Sequence, residues 1–237
     1  MMFWNRNLVL ICAAMLGLAA CGPGTGEPLR PASPTGGVSP GQRPPPLAAP
    51  PPVAPPTASS APPARSREAQ ASLDQRLILA AKANDVAHVT ELIRAGGNVN
   101  AKDSRQDSAF LYSGAEGFNG VLLLTIANGA DVSSTNRFGG TALIPASEHG
   151  HVETVRILTA AGVPVNHVNN LGWTALQEAI LLNDGGPRQQ DVVRHLLAAG
   201  ADPNIPDPQG RTALENAHRL GFAEIVSIIT AAGPNNL

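Results

Sequence analysis

The residues with chemical reach in this sequence are few and scattered. His149 and His151, flanked by Glu148 and Glu153, come nearest to a metal-ligand cluster. A zinc ion takes three or four convergent ligands, and no cysteine or further histidine lies beside this pair to complete the set. His88, His195 and His218 stand alone on separate stretches. The two cysteines, Cys12 and Cys21, are both near the N-terminus. The rest of the chain therefore offers no thiolate ligand, disulfide or cysteine nucleophile. No nucleophile elbow, Gly-rich phosphate loop or paired-carboxylate spacing appears. The expectation is a protein that is not an enzyme, with no catalytic residue, metal, cofactor or small-molecule substrate.

Charge narrows the partners. Residues 74–237 carry 11 Lys+Arg against 16 Asp+Glu, a net charge of −5. Duplex binding needs a basic face, so nucleic acid is not expected. Composition then divides the chain. Arg6 precedes an apolar run from Leu8 to Ala20, 13 residues long. That is short for a bilayer span of about 20 residues and suits a signal-peptide core. The run ends Leu18-Ala19-Ala20-Cys21-Gly22, which resembles the lipobox of bacterial lipoproteins. The resemblance implies diacylglycerol on the Cys21 thiol, cleavage before it, and acylation of the new amino terminus. Each buried CH₂ contributes about 0.8 kcal/mol, so several chains make a lasting anchor. Gly22 stands where an Asp usually retains such proteins at the inner membrane, which points to the outer membrane.

Fifteen of the 22 prolines lie between Pro23 and Pro63. Runs such as Pro44-Pro45-Pro46 remove backbone donors, so neither helix nor sheet propagates. Such chain samples polyproline II, and forty-odd residues would reach on the order of 100 Å. Residues 1–20 read as a signal peptide, and residues 21–73 as a lipidated cysteine plus a disordered Pro-rich tether.

The remainder, residues 74–237, repeats. Leu77, Phe110, Leu143, Leu176 and Leu214 are spaced 33, 33, 33 and 38. Gly96, Gly129, Gly162, Gly200 and Gly233 are spaced 33, 33, 38 and 33. Both ladders place one five-residue insertion in the same unit. Thr141-Ala142-Leu143, Thr174-Ala175-Leu176 and Thr212-Ala213-Leu214 open units. Gly150-His151 and Gly129-Ala130-Asp131 fall at fixed places within them. These motifs resemble the ankyrin repeat, and Gly-Trp-Thr-Ala-Leu resembles bacterial envelope ankyrin-repeat proteins of unassigned role. The resemblance implies an all-α solenoid of five helix-turn-helix units with short hairpin-like turns. The units run about 74–102, 103–135, 136–168, 169–206 and 207–237.

The residues agree with that fold. Thr141, Thr174 and Thr212 suit helix N-caps, the glycine ladder suits left-handed C′ positions, and neighbouring units must bury one another's apolar faces. Unit two departs from the pattern. Gly114 sits mid-helix and Thr125 replaces a core leucine, which predicts the soft part of the array. Pro145 falls in the first turn of its helix. In unit five, one of Ile225, Ile228 and Ile229 is expected at the surface. Unit four carries the insertion, Asn183 to Gln190, read as a loop in which Asp184, Arg188 and Gln189 are contact candidates.

Binding is expected on the concave face that such arrays present. The candidates are Arg105, Arg137, Phe138, Leu171, Trp173 and Arg211 at the turns, with Tyr112 and Glu178 on the first helices. Tryptophan and arginine are favoured anchors. The functional expectation is a monomeric, non-catalytic module on the periplasmic side of the outer membrane. Lipid on Cys21 would hold it at the membrane, where it binds or modulates an envelope protein. An inhibitor or immunity-type protein occluding an enzyme or toxin is the alternative, and an enzyme with an unrecognised site the remote one.

Overall fold

The computed structural model describes residues 65–233. Cys12, Cys21, the signal segment and the tether up to residue 64 lie outside the described residues. Five helix pairs follow, with no strand among the described residues. They are α1 (Arg67–Lys82) with α2 (Val86–Arg94), α3 (Ala109–Glu116) with α4 (Asn119–Ala127), and α5 (Leu143–Glu148) with α6 (Val152–Ala160). Next come α7 (Ala175–Leu181) with α8 (Pro187–Ala198), and α9 (Ala213–Leu220) with α10 (Ala223–Ala232). Odd-numbered helices stack on one another as an inner layer, and even-numbered helices back them as an outer layer.

The inner layer is pinned by the leucine ladder. Leu77, Phe110, Leu143 and Leu176 are each at most 1% exposed. Leu214 is only half-buried, because no described unit stacks beyond it. Ser108 and Thr174 cap α3 and α7 by accepting from Leu111 N and Gln177 N, and Thr212 with Glu215 forms a full capping box on α9.

Two expectations are corrected here. The folded array begins before residue 74: α1 starts at Arg67, capped by Ser66, and already buries Leu73. Thr141 does not cap its helix. Tyr112, Glu178 and Asn216 each donate a backbone N–H to the carbonyl of the capping residue. Pro145 occupies the matching place and has none to give. Ile144 N turns to Thr141 O instead, at 3.3 Å, and the buried Thr141 hydroxyl is left without a partner. In unit five, Ile225 and Ile229 are buried, while Ile228 lines an open groove of about 480 Å³ between α8 and α10.

The insertion in unit four is only in part a loop. Asn183–Gly186 bends the chain, and Pro187 then starts α8, which runs 12 residues where α6 has 9. Gln189 is buried and donates to Asn183 Oδ1 (2.9 Å). A Cβ on Gly185 would lie 2.6 Å from the Phe222 ring, so the bend is packed against unit five.

The apolar core divides in unit two. Ala109 and Val121 belong with unit one, whereas Phe110, Leu111 and Leu122 join one continuous core through units three to five. In the outer layer α6, α8 and α10 pack closely, but α4 touches α2 and α6 sparsely. Gly114 is more than a weak helix former: a Cβ there would meet Ala142 Cβ at 2.8 Å, so it lets α3 approach α5. Thr125 is buried and spends its hydroxyl on Leu122 O. Leu176→Ala is therefore expected to cost about 2–5 kcal/mol in chemical denaturation, because it opens a cavity in the continuous core. By hydrogen exchange, α4 should be the least protected of α4, α6 and α8. Equal protection of all three would contradict the division of the core.

Candidate partner-binding surface

Each unit from two to five opens with a turn built around one side chain. Asp103, Asn136, Asn169 and Asp207 stand at the same place in the repeat. Each Oδ1 accepts the backbone N–H two residues on and the one four residues on: Arg105 and Asp107, Phe138 and Gly140, Leu171 and Trp173, Gln209 and Arg211. All eight distances lie between 2.8 and 3.1 Å. The backbone closes each turn by donating from the first residue to the carbonyl of the fifth, at 2.8–3.0 Å. The fourth residue is left-handed: Gln106, Gly139, Gly172 and Gly210 have φ of 63°, 70°, 81° and 78°. Glycine accepts that region freely, so Gln106 is the strained member.

The tips lean on one another. Asn170 N donates to Phe138 O (2.9 Å), joining the third and fourth units by backbone. A Cβ on Gly172 would lie 2.6 Å from Pro208, so the fourth tip packs against the fifth.

Turn and inner helix are tied over nine residues. Asn169 Nδ2 donates to Glu178 Oε1 (2.8 Å), and in unit five the roles reverse, with Asn216 Nδ2 donating to Asp207 Oδ2 (2.9 Å). In unit two Lys82 reaches across from α1 to Asp103 (2.6 Å) and Asp107 (3.0 Å), with its ammonium 5.2 Å from the Tyr112 ring centroid. In unit three the helix position is Pro145, which offers no polar side chain.

Environment sets these carboxyls apart. Burial pushes Glu178 up to about 8, nearby Glu148 adds to it, and the Asn169 amide opposes. Burial pushes Asp207 in the same direction. There the Asn216 amide, the Arg211 N–H groups and the Gln209 N–H outweigh it and hold the carboxyl at about 2.

The sequence-selected residues fall into distinct places. Arg105, Arg137, Phe138 and Leu171 are exposed at the tips, Phe138 by 43% and Leu171 by 42%. The Arg137 guanidinium stacks 4.5 Å from the Phe138 centroid and lies 3.3 Å from Asp107 Oδ1. Trp173 is half-buried, with an indole N–H that is buried and unpartnered. Arg211 is half-buried and bonds Asp207 through Nε (3.1 Å). Tyr112 is half-buried under Lys82. Glu178 is only 5% exposed and holds the turn rather than facing outward. Asp184 and Arg188 are exposed beside the bend, away from the tips, and Gln189 is buried.

Sequence reasoning missed the turn-building Asp103, Asn136, Asn169 and Asp207. They repeat at 33, 33 and 38, the same signal that revealed the leucines. It also passed over Val168, exposed by 44% beside Leu171.

The His149 and His151 rings meet edge-on at 5.5 Å, and His149 Nδ1 donates to Ala115 O (2.8 Å). No group of three or more potential ligands occurs among the described residues.

The two shifted carboxyls predict a pH profile. Asp207 is depressed, so its contribution is present above the unfolded value near 3.8 and is lost as pH falls towards 2. Glu178 is raised, so between 4.5 and about 8 the folded state holds a proton that the unfolded state lacks. Stability then falls as pH rises through that window, by at most about 1.4 kcal/mol per unit. Glu178→Gln keeps an amide oxygen for Asn169. It should flatten this fall and raise the melting temperature at pH 8 more than at pH 5.

Comparison with known proteins agrees with the geometry. A profile for ankyrin repeats, in three copies, matches residues 111–207. The ankyrin repeat protein YahD of Escherichia coli is 40% identical over 158 residues, which cover 66% of this chain and 79% of YahD. A crystal structure of an ankyrin repeat domain from Acinetobacter baumannii AYE superposes with a TM-score of 0.65 at 55% identity, over 66% of this chain and 80% of that one. The solved ankyrin repeat protein EF0377 gives 0.63 at 38% identity, over 65% of this chain and 78% of its own. With stacked helix pairs, a turn repeated in register and relatives that are themselves ankyrin repeat proteins, the chain belongs to the ankyrin repeat family.

Proposed function

We propose that this chain is a non-catalytic protein-binding module, lipid-anchored through Cys21 on the periplasmic side of the outer membrane, whose turn tips hold an envelope protein. One observation supports the binding face. Of the six large apolar side chains exposed among the described residues, Phe138, Val168 and Leu171 all lie in the turns that open units three and four. Single exposed apolar residues are ordinary surface. Three on tips joined by a backbone hydrogen bond make a patch that a partner can cover without rearranging the array. The anchor and address rest on the Leu18-Ala19-Ala20-Cys21 motif.

Two experiments test the reading. Phe138→Ala with Leu171→Ala should weaken capture of the partner from envelope extract by about 2 kcal/mol or more, as central anchors do, while the melting temperature changes little. Arg156→Ala, on the exposed side of α6, should leave capture intact. A double variant that captures normally would remove the tips from the binding face. Cys21→Ser should abolish incorporation of a labelled fatty acid and leave an unprocessed precursor. Equal labelling of wild type and variant would end the anchor proposal.

A further inference from the structure

The charges around the tips are sorted by exposure. Residues 102–107, 135–140, 168–173 and 206–211 contain the acids Asp103, Asp107 and Asp207 and the cations Lys102, Arg105, Arg137 and Arg211. The acids are turned inward: their side chains are 14%, 12% and 0% exposed, and two of them are spent on backbone N–H groups. Lys102 is half-buried and donates to Thr135 O (2.8 Å), and Arg211 is paired with Asp207, so Arg105 and Arg137 are the exposed cations. Arg105 is exposed, and Arg137 is 49% and Arg211 35% exposed. Asp107 is shared between Lys82 and Arg137, so Arg137 keeps guanidinium donors unspent. Glu178 is buried and turned to Asn169, so it presents no carboxylate at the surface of the strip. A folded region of net charge −5 thus carries exposed Arg105 and Arg137, and half-exposed Arg211, on the turns before, within and after those that bear the exposed apolar residues Phe138, Val168 and Leu171.

We propose that the strip from Arg105 to Arg211 receives an acidic segment of a protein, its carboxylates on the arginines and an apolar or aromatic side chain over Phe138 and Leu171. This deepens the protein-binding reading above and rests on it. Carboxylate fits the arginine fork in pairs of parallel hydrogen bonds. Arg137 is already fixed by its stack on Phe138, so little side-chain freedom is lost on binding. Acidic residues elsewhere on the domain would repel a segment that lands off the strip, which favours one register.

Fluorescent copolymers serve as probes on the full chain. A Glu-Tyr copolymer should bind, poly-Glu should bind more weakly, and a Lys-Tyr copolymer and single-stranded DNA should bind least. Raising salt from about 0.05 to about 0.5 M should weaken the Glu-Tyr complex markedly. Arg105→Glu with Arg137→Glu should weaken it at least about tenfold. Arg105→Glu alone, which breaks no packing contact, should account for a measurable share even if the double variant unfolds. Phe138→Ala with Leu171→Ala should erase the preference for the Glu-Tyr copolymer over poly-Glu. Arg156→Glu should change nothing. Binding that is indifferent to Arg105 and Arg137, or a Lys-Tyr copolymer or DNA that binds as tightly, would overturn the proposal. If an envelope protein is captured equally by wild type and the arginine variant, the acidic-segment inference falls and the binding module stands. If the copolymers behave as expected while no envelope protein depends on the tips, the chemistry of the strip stands and its envelope partner falls.

Discussion

Everything in this molecule depends on one constraint: a helix pair of this size cannot bury its own apolar face. Burial is completed only by the next pair. Leu77, Phe110, Leu143 and Leu176 recur at 33 residues and are each at most 1% exposed, whereas Leu214, with no described unit beyond it, is half-buried. The same dependence explains why Gly114 is tolerated. Glycine in a helix interior costs roughly 1 kcal/mol against alanine, but a Cβ there would strike Ala142 on the neighbouring inner helix. The stack sets the distance, and the sequence within each helix yields to it.

A second, polar system is laid over the first. One Asx side chain per unit folds the connecting turn, and in units four and five a nine-residue tie fastens that turn to the inner helix. The two ties use opposite arrangements of amide and acid, with opposite electrostatic results. Asp207 gathers four kinds of N–H donor that hold its carboxyl at about 2, while burial, with the neighbouring Glu148 and only one amide to oppose them, pushes Glu178 up to about 8. Position in the repeat dictates that a hydrogen bond is made there. Neighbouring groups dictate the charge.

The architecture was legible because it is periodic. Spacings of 33 and 38 reveal the five helix pairs, and Ser108, Thr174 and Thr212 cap as their residue types suggest. Misreadings arose where a residue acts through a neighbour's backbone. Pro145 deprives Thr141 of its capping role by lacking a single N–H. Ser66 moves the start of the array ahead of residue 74, because a cap and Leu73 outweigh proximity to the proline tract. The insertion looked like a loop from Gly-Gly-Pro, yet Pro187 is a good first residue for a helix and most of the added length became α8. The surface was legible only in part. Phe138 and Trp173 stand out in a sequence with 3% aromatic residues, yet only Phe138 is exposed and Trp173 is half-buried. Glu178 and Gln189 looked like surface residues by type, but each is buried and completes a hydrogen bond to a partner whose place in space the sequence does not give.

Stiffness and exposed chemistry coincide along the array. Units three to five share one continuous core, their outer helices pack closely, and their tips are joined by a backbone bond and by Pro208 against Gly172. The apolar tip residues Phe138, Val168 and Leu171 all belong to this half. Units one and two have the divided core, the sparse contacts of α4 and the left-handed Gln106. A rigid patch loses little conformational freedom when covered, so the same contact area yields more net affinity there than on a yielding one. Arg105 lies on the softer side of that boundary and Arg137 on the stiffer, 3.3 Å from Asp107 of the preceding turn. The Asp107 carboxylate, shared by Lys82 of unit one and Arg137 of unit three, therefore clamps the yielding end of the strip to the rigid one. It does so at the tips, across the place where the apolar core is interrupted.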